Sequence, residues 1–599
     1  MNINVTSTTD TGLPGTLRAA VVTANANPGS TIFLNVTPIT ITGVAMNLTT
    51  NMTIIGNVAN STIIHSPLLV GSALFNITSA SLIPVAITNV IIQGAILRNT
   101  TIPAIVLTSS RLTISGSTLT ALRSTLGNGG AIRATNSILN IFASSTISLC
   151  TAINGGGLHT TGGTLNIQNS VITGNGTVAC IGGGGAFTAG TIVTINNTTF
   201  SGNTSLTFGG GLALSANTLL GQGSDATITN STFSTNSNSG AILGLLSGGG
   251  GIGVFGSDLV MVNCTVANNS STLTGGGISV SLLNLLLGSL QLVNVTISAN
   301  SVSLINVGGA GLYAVGITPS LGNSILAGNT APLVGALSPD GVLLLNDVLS
   351  PFTTQGGNVI GTSVLGFTNG VNNDKVGTNL APLNPGLSPL ANNGGPTQTM
   401  AVQAASPAIN NGIGTNPLII GVLFDQRGAP FDRFVGTTLD SGAYEFQTPI
   451  ICFDGNSRVH SRDIRTGIIA DRLASNIYSG IHEVFNTVTN KFVPVRYNIV
   501  TGRPTRILRL KKGLLGPYQP NTDFFITAGH PIVIDGVEVV SQKVPGVEQI
   551  DGEPRVIYSI CTDERHPILI NGIQVMTWSF ADWQSRPNPQ SYSWHDNRA

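Results

Sequence analysis

Few residues in this chain are of a type that does covalent chemistry, and the ones that stand out lie near its end. Three pieces carry them: Cys452-Phe453-Asp454-Gly455-Asn456-Ser457-Arg458-Val459, Thr527-Ala528-Gly529-His530-Pro531, and Val556-Ile557-Tyr558-Ser559-Ile560-Cys561 leading to His566-Pro567-Ile568-Leu569-Ile570-Asn571-Gly572. A cysteine thiolate is a nucleophile. A histidine held near a leaving nitrogen can protonate it. A threonine hydroxyl can hydrogen-bond a peptide and orient it. Each residue also has a plainer reading: a buried thiol at Cys452, a core histidine at a strand turn at His530, a His-Pro turn at His566, a strand cysteine in the core at Cys561. Two cysteines with two or three histidines raise the question of zinc. No Cys-x-x-Cys or His-x-x-x-His spacing exists, and neither metal nor cofactor is expected.

Taken in order and spacing, the three pieces resemble a Hint domain, the module shared by hedgehog autoprocessing proteins and inteins. The family's first residue is its nucleophile, which fits Cys452. Its Thr-x-x-His block fits Thr527 and His530, 75 residues further on. Its last block fits Tyr558, His566, Asn571 and Gly572. The resemblance implies catalytic roles for Cys452, Thr527 and His530, with His566 as an assisting acid or base. The thiolate would attack the carbonyl of Ile451 and turn that amide into a thioester. His530 would protonate the departing nitrogen, and water or a second nucleophile would then release the preceding segment. Inteins end on a penultimate His and a terminal Asn, where this chain has Met576 and Thr577 followed by Trp578-Ser579. Splicing is therefore not expected. Only cleavage before Cys452 remains, a self-cleavage rather than turnover. The run from Tyr558 to Thr562 and on to Ser579 also resembles Hint-like domains of large DNA viruses of amoebae, where the domain often ends a structural protein.

What must carry this module is a very different stretch of chain. Of 599 residues, the first 447 hold 10 acids and 8 bases, about 4% of their length. Residues 448–599 hold 14 acids and 16 bases, about 20%. The second value is near that of an ordinary domain and the first far below it. A boundary is expected near Gln447-Thr448-Pro449, between a domain of residues 1–447 and one of residues 448–599. The formal net charge is zero, so nothing electrostatic recommends nucleic acid or an anionic membrane. The most apolar run, Ser281 to Val293, is broken by Asn284, Gly288 and Gln291 and is too short to span a bilayer. The start, MNINVTSTTD, shows no basic region followed by an apolar run, so no secretory signal is expected. Five cysteines imply no disulfide framework, and Cys150, Cys180 and Cys264 read as small buried residues.

The long segment repeats. Asn169-Ser170-Val171-Ile172, Asn197-Thr198-Thr199-Phe200, Asn230-Ser231-Thr232-Phe233, Asn263-Cys264-Thr265-Val266, Asn294-Val295-Thr296-Ile297 and Asn323-Ser324-Ile325-Leu326 begin 28, 33, 33, 31 and 29 residues apart. Six residues after each first Asn comes a second: Asn175, Asn203, Asn236, Asn269, Asn300 and Asn329. Glycine steps such as Gly155-Gly156-Gly157-Leu158 and Gly209-Gly210-Gly211-Leu212 run in parallel, with alternating strands between. A fixed period of this size marks stacked units that cannot bury their apolar faces alone. The expected fold is all-β: a right-handed parallel β-helix, followed by a smaller Hint-like β domain. Ten to thirteen rungs would give a rod of roughly 50–60 Å, with interior Ile, Val, Leu and Phe stacks and an Asn ladder at a turn. A β-propeller wants longer periods and more aromatics than the 5% present.

Near the end of the segment come Asn392-Asn393-Gly394-Gly395-Pro396-Thr397, Asp425-Gln426-Arg427-Gly428 and Asp440-Ser441-Gly442-Ala443-Tyr444-Glu445. With the rungs before them, these resemble the choice-of-anchor Q β-helices of bacterial surface proteins, related to polymorphic outer-membrane protein repeats. That implies a surface-displayed rod and no particular chemistry. Asp425, Arg427, Asp440 and Glu445 read either as ion pairs and caps closing the stack or as a carboxylate set for glycan cleavage. Other acids are scattered: Asp225, Asp258, Asp340, Asp347 and Asp374. Asp225 and Asp258 lie 33 residues apart, one period, the placement a glycosidase pair would need. The expected setting is a virion or cell surface, with a large DNA virus favoured by the missing signal. Expected partners are glycans or a host surface and other virion or surface proteins, with a homotrimer by fold analogy. A glycan-degrading enzyme or an adhesin with an inert Hint-like domain is the alternative.

Overall fold

The computed structural model describes residues 1–68, 71–78, 82–95, 100–176, 181–219, 221–240, 248–281, 288–303, 309–332, 338–345, 348–349, 351–403, 405–429, 431–435, 438–446, 452–502, 506–527, 529–553 and 555–580. Cys180, Asp347, Ile451 and the expected Gln447-Thr448-Pro449 boundary lie outside these residues. The chain divides into two compact units, Met1–Phe434 with Thr438–Phe446, and Val435–Thr437 with Gln447–Ala599.

The first unit is a parallel β-solenoid of about 11 turns. Short strands alternate side chains in and out, as in Ser30–Leu34, where Ser30, Ile32 and Leu34 are buried. Each strand pairs in parallel with its counterpart one period away, so like residues align in columns. One column runs in register from Ile32 through Ile54, Ile87, Ile114, Ile141, Ile167, Ile195 and Ile228 to Met261, Leu292 and Leu321. Every member is fully buried. Phe200 and Phe233 stack on successive rungs with ring centroids 4.8 Å apart.

The Asn phrase does two jobs. Its first Asn turns the chain: Asn169, Asn197, Asn230, Asn263, Asn294 and Asn323 all take φ between 48° and 53°, a left-handed conformation that Asn tolerates better than other non-glycine residues. Its second Asn is buried and builds the ladder. The Asn175 amide nitrogen donates to Asn203 Oδ1 at 3.0 Å, and the relay continues through Asn236, Asn269, Asn300 and Asn329 at 2.9–3.0 Å. Each of these Oδ1 atoms from Asn203 onward also accepts a backbone N–H from the rung before, and each Nδ2 also donates to a carbonyl there, as Asn236 does to Phe200. The glycine steps have a steric cause. A Cβ on Gly209, at φ 61°, would sit 2.3 Å from the Leu212 carbonyl oxygen.

A helix that the repeat pattern did not announce, α1 (Leu17–Ala26), joins the same core through Leu17, Ala20, Val21 and Ala24. Thr16 caps it by accepting the Ala19 N–H. At the other end of the unit, Gln426 and Ala443 reach back to an outer threonine column. Gln426 donates to Thr232 Oγ1 at 2.8 Å and accepts from Thr265 Oγ1 at 2.6 Å, and the Ala443 N–H reaches Thr296 Oγ1 at 3.0 Å.

The second unit is antiparallel apart from one short parallel pairing. Among the described residues it forms a 7-stranded and an 8-stranded sheet. Its core holds Phe453, Val459, Phe524, Ile526, Ile532, Ile560, Ile568 and Val575.

Candidate active site

Sheet register brings the two nearest candidates together. Strand Phe453–Asp454 lies between Phe524–Ile526 and Ile557–Thr562, with Phe453 opposite both Ile526 and Tyr558. In an antiparallel pair the residue before Phe453 must face the residue after Ile526. Those residues are Cys452 and Thr527. The Cys452 N–H donates to Thr527 Oγ1 at 3.1 Å, and the same hydroxyl donates to the Cys452 carbonyl at 3.1 Å. The Thr527 N–H also reaches that carbonyl, at 2.9 Å. Thr527 thus grips both polar groups of the Cys452 backbone. The nitrogen it holds is the one in the peptide bond to Ile451.

A second register places His530. Strand Pro531–Ile534 pairs with Ile573–Met576, and His530 Nε2 lies 2.9 Å from the Met576 carbonyl. A carbonyl only accepts, so Nε2 carries the proton and Nδ1 is bare. Nδ1 is buried without a hydrogen-bond partner. Burial pushes the imidazole down to about 3, against the opposing pull of the Met576 and Cys452 backbones. His530 is therefore neutral at pH 7, a proton acceptor before it can be a donor. The Phe453 ring lies 5.7 Å from it, centroid to centroid.

The Cys452 side chain is 1% exposed and packs with Ile507 and Ile557, against which Phe525 and Ile550 lean. On the same strand, Asp454 pairs with Arg555 at 2.5 Å, and the Arg555 guanidinium lies 3.8 Å over the Phe525 ring. Asp454, Ser475, Arg555 and Tyr558 line an open cavity of about 370 Å³. Arg555 carries no motif and could not have been singled out from sequence. Ser541 was equally silent, yet its hydroxyl donates to the Thr527 carbonyl at 2.7 Å.

The remaining motif residues are placed differently. His566 is half-buried and held by its backbone: its N–H donates to Thr577 Oγ1, and its carbonyl accepts the Thr577 N–H. Among the described residues, no hydrogen bond, ion pair or ring contact joins its side chain to Cys452, Thr527 or His530. Asn571 and Gly572, both at positive φ, form the two-residue turn between Pro567–Ile570 and Ile573–Met576. Cys561 is fully buried beside Ile499. Met576 and Thr577, which depart from the intein pattern, supply the carbonyl that holds His530 and the hydroxyl that holds His566.

In the first unit the acids are mostly structural. Asp340 ends the Asn ladder, its Oδ1 accepting the Asn329 side-chain and backbone N–H groups and its Oδ2 accepting Thr362 Oγ1. Asp374 ends a shorter ladder at Asn358 in the same way. Burial pushes both carboxyls up. Asp425 and Arg427 form a buried pair at 2.6 Å, with Arg427 between the Phe431 and Tyr444 rings at 3.8 and 3.7 Å. Glu445 accepts the Asp440 N–H, Asp440 accepts the Phe446 and Asn410 N–H groups, and Arg433 donates to the Asp440 and Gly442 carbonyls. Of the two readings the sequence left open, this is the closing network. Asp225 and Asp258 do face each other on adjacent rungs, exposed, with Asp258 accepting Ser289 Oγ at 2.6 Å. The buried Cys150 and Cys264 thiols are pushed up to about 12 and stay protonated. Among the described residues no His/Cys/Asp/Glu group could hold a metal, and no helix is long and apolar enough to cross a membrane.

No protein-family model and no curated protein matches the chain. Solved structures do. Tailspike protein 3 of bacteriophage CBA120 aligns at a TM-score of 0.24 and 12% identity, over 56% of this chain and 59% of that one. The Dettilon tailspike protein aligns at 0.30 and 10%, over 60% and 64%. DFA-IIIase from Arthrobacter chlorophenolicus A6 aligns at 0.28 and 13%, over 63% and 98%. The chain spans under two thirds of either tailspike. At such TM-scores neither ligand nor activity transfers; the β-solenoid stands on its own strand pairings.

Proposed function

We propose that this chain is a surface-displayed β-helix rod whose C-terminal unit, resembling a Hint domain, cuts the Ile451–Cys452 bond once. One observation carries the reading: the amide nitrogen of that bond is held by Thr527 Oγ1 at 3.1 Å, with neutral His530 beside the same backbone. Once the Cys452 side chain has turned from its packing against Ile507 and Ile557, its thiol proton passes to the bare His530 nitrogen and the sulfur attacks the Ile451 carbonyl. The imidazolium returns its proton to the Cys452 nitrogen as the C–N bond breaks. The products are a thioester on Cys452 Sγ and a free Cys452 amine. Water or another nucleophile then takes the acyl group. Thr527 holds the amide while this happens, and His566 has no assigned step.

The rod is the cargo. Its buried acids are committed to ladders and ion pairs, which favours a scaffold over a glycan-degrading enzyme. Display on a virion or a cell surface, with glycans or other surface proteins as partners, is the setting we assign it. The packing of Cys452 among Ile507 and Ile557 favours a second reading, in which the unit keeps the fold and has lost the reaction. Intact mass of purified full-length protein, against Cys452→Ala, separates the two. Fragments meeting between residues 451 and 452 in the wild type alone support cleavage. Unbroken chains in both, after prolonged incubation with dithiothreitol, leave only the scaffold.

A further inference from the structure

The Thr527–His530 turn is the working part of the site, and something must hold its shape. Within the turn, the His530 N–H donates to the Thr527 carbonyl at 3.0 Å. Ser541 supplies the rest. Its Oγ donates to the Thr527 carbonyl at 2.7 Å and its N–H to the His530 carbonyl at 2.9 Å. One residue therefore ties both ends of the turn, from the far side of the hairpin formed by Pro531–Ile534 and Val537–Val540. Ser541 is fully buried, and a buried hydroxyl with this geometry is costly to lose because the carbonyl it serves loses a donor.

The consequence reaches the reacting bond. Thr527 spends its own N–H and Oγ1 on the Cys452 backbone, and its carbonyl is held by the Ser541 hydroxyl together with the His530 N–H. His530 likewise has its ring set by Met576 and its main chain set by Ser541. We infer that Ser541 is a positioning residue for self-cleavage, fixing Thr527 and His530 against the Cys452 amide while touching neither reacting atom. The inference rests on the self-cleavage reading above and extends it to a residue that none of the sequence motifs contains.

The test compares full-length wild type, Ser541→Ala and Ser541→Thr in dithiothreitol-induced cleavage, followed by intact mass over time. Losing one hydrogen bond should slow Ser541→Ala by about tenfold, the rate equivalent of roughly 1.4 kcal/mol. Ser541→Thr keeps the hydroxyl and should return most of the rate. Wild-type speed in Ser541→Ala, or no rescue by Thr, overturns the inference. Should Ser541→Ala fold poorly, Ser541→Cys, near serine in size and a weak donor, replaces it with the same expectation. A wild type that never cleaves defeats the self-cleavage reading, and positioning is then read from the His530 ring by histidine-selective 13C labelling. A ring signal displaced in Ser541→Ala and restored in Ser541→Thr supports positioning; an unmoved signal overturns it.

Discussion

The two units bury polar groups in opposite ways. In the rod, a buried amide is satisfied by a copy of itself one rung away. Asn203 serves Asn175 and is served by Asn236, and the chain of copies ends only where Asp340 replaces the amide. In the C-terminal unit, no copy exists. Cys452, Thr527, His530 and Met576 meet because two strand registers bring residues 75 and 46 positions apart into contact. Along the ladder, repetition makes polar burial self-consistent and chemically quiet, since each amide donor faces the oxygen of its copy. A unique register can leave a group unmatched beside a reactive backbone, and the bare His530 nitrogen is such a group.

The largest expected effect falls on the ladder. Asn236→Ala orphans the Asn203 amide and backbone donors at once and should cost the rod about 3–5 kcal/mol, read as a shifted denaturant midpoint. Asn57→Ala, which removes an exposed side-chain bond to Asn35, should cost under about 0.5 kcal/mol. Equal costs would break the claim that buried self-copying is what holds the rod. Next comes the unique register. Thr527→Val should slow cleavage by roughly 10- to 100-fold, about 1.4–2.7 kcal/mol, and leave the rod's denaturation midpoint unmoved.

A smaller effect sharpens the contrast through pH. Burial pushes Asp440 up to about 6, with Asp425 adding to the rise and the Asn410 and Phe446 N–H groups and Arg433 opposing it. A carboxyl whose folded value is raised above its unfolded one favours the fold at low pH, and that contribution is lost as pH rises through about 6. His530 runs the other way. Its folded value, about 3 against an ordinary 6.5, gives a contribution present above 6.5 and lost as pH falls toward 3. Between pH 6.5 and 4, Asp440→Asn should therefore remove a gain in stability on acidification, and His530→Gln should remove a loss. Stability-against-pH slopes of each variant measured against wild type check both signs.

Much of the rod was legible because its signal is repeated. The Asn phrase set the rung length and the ladder, and the alternating runs set the strands. What periodicity cannot show is a segment used once. The helix α1 had its own local signs, a Thr16 cap and four alanines, but it lies outside the repeat. The contact that docks Gln426 between Thr232 and Thr265 spans more than 160 residues and leaves no pattern. The charged set at residues 425–445 could not be assigned from sequence, because ion pairing and catalysis ask for the same residue types; burial and donor count decide it. In the second unit, the resemblance to a Hint domain singled out Thr527 and His530, and sheet register brings Thr527 onto the Cys452 backbone. Ser541 and Arg555 were not singled out, since their parts depend on register alone. His566 matched by motif, while among the described residues the hydrogen bonds that hold it are those of its backbone, to Thr577.

The claim that strand register arms the Ile451–Cys452 bond is tested most directly by trapping the thioester. Purified full-length protein treated with hydroxylamine at neutral pH should yield an N-terminal fragment ending at residue 451 as its hydroxamate, while Cys452→Ala stays whole. A wild type that remains full length under the same treatment would contradict the account.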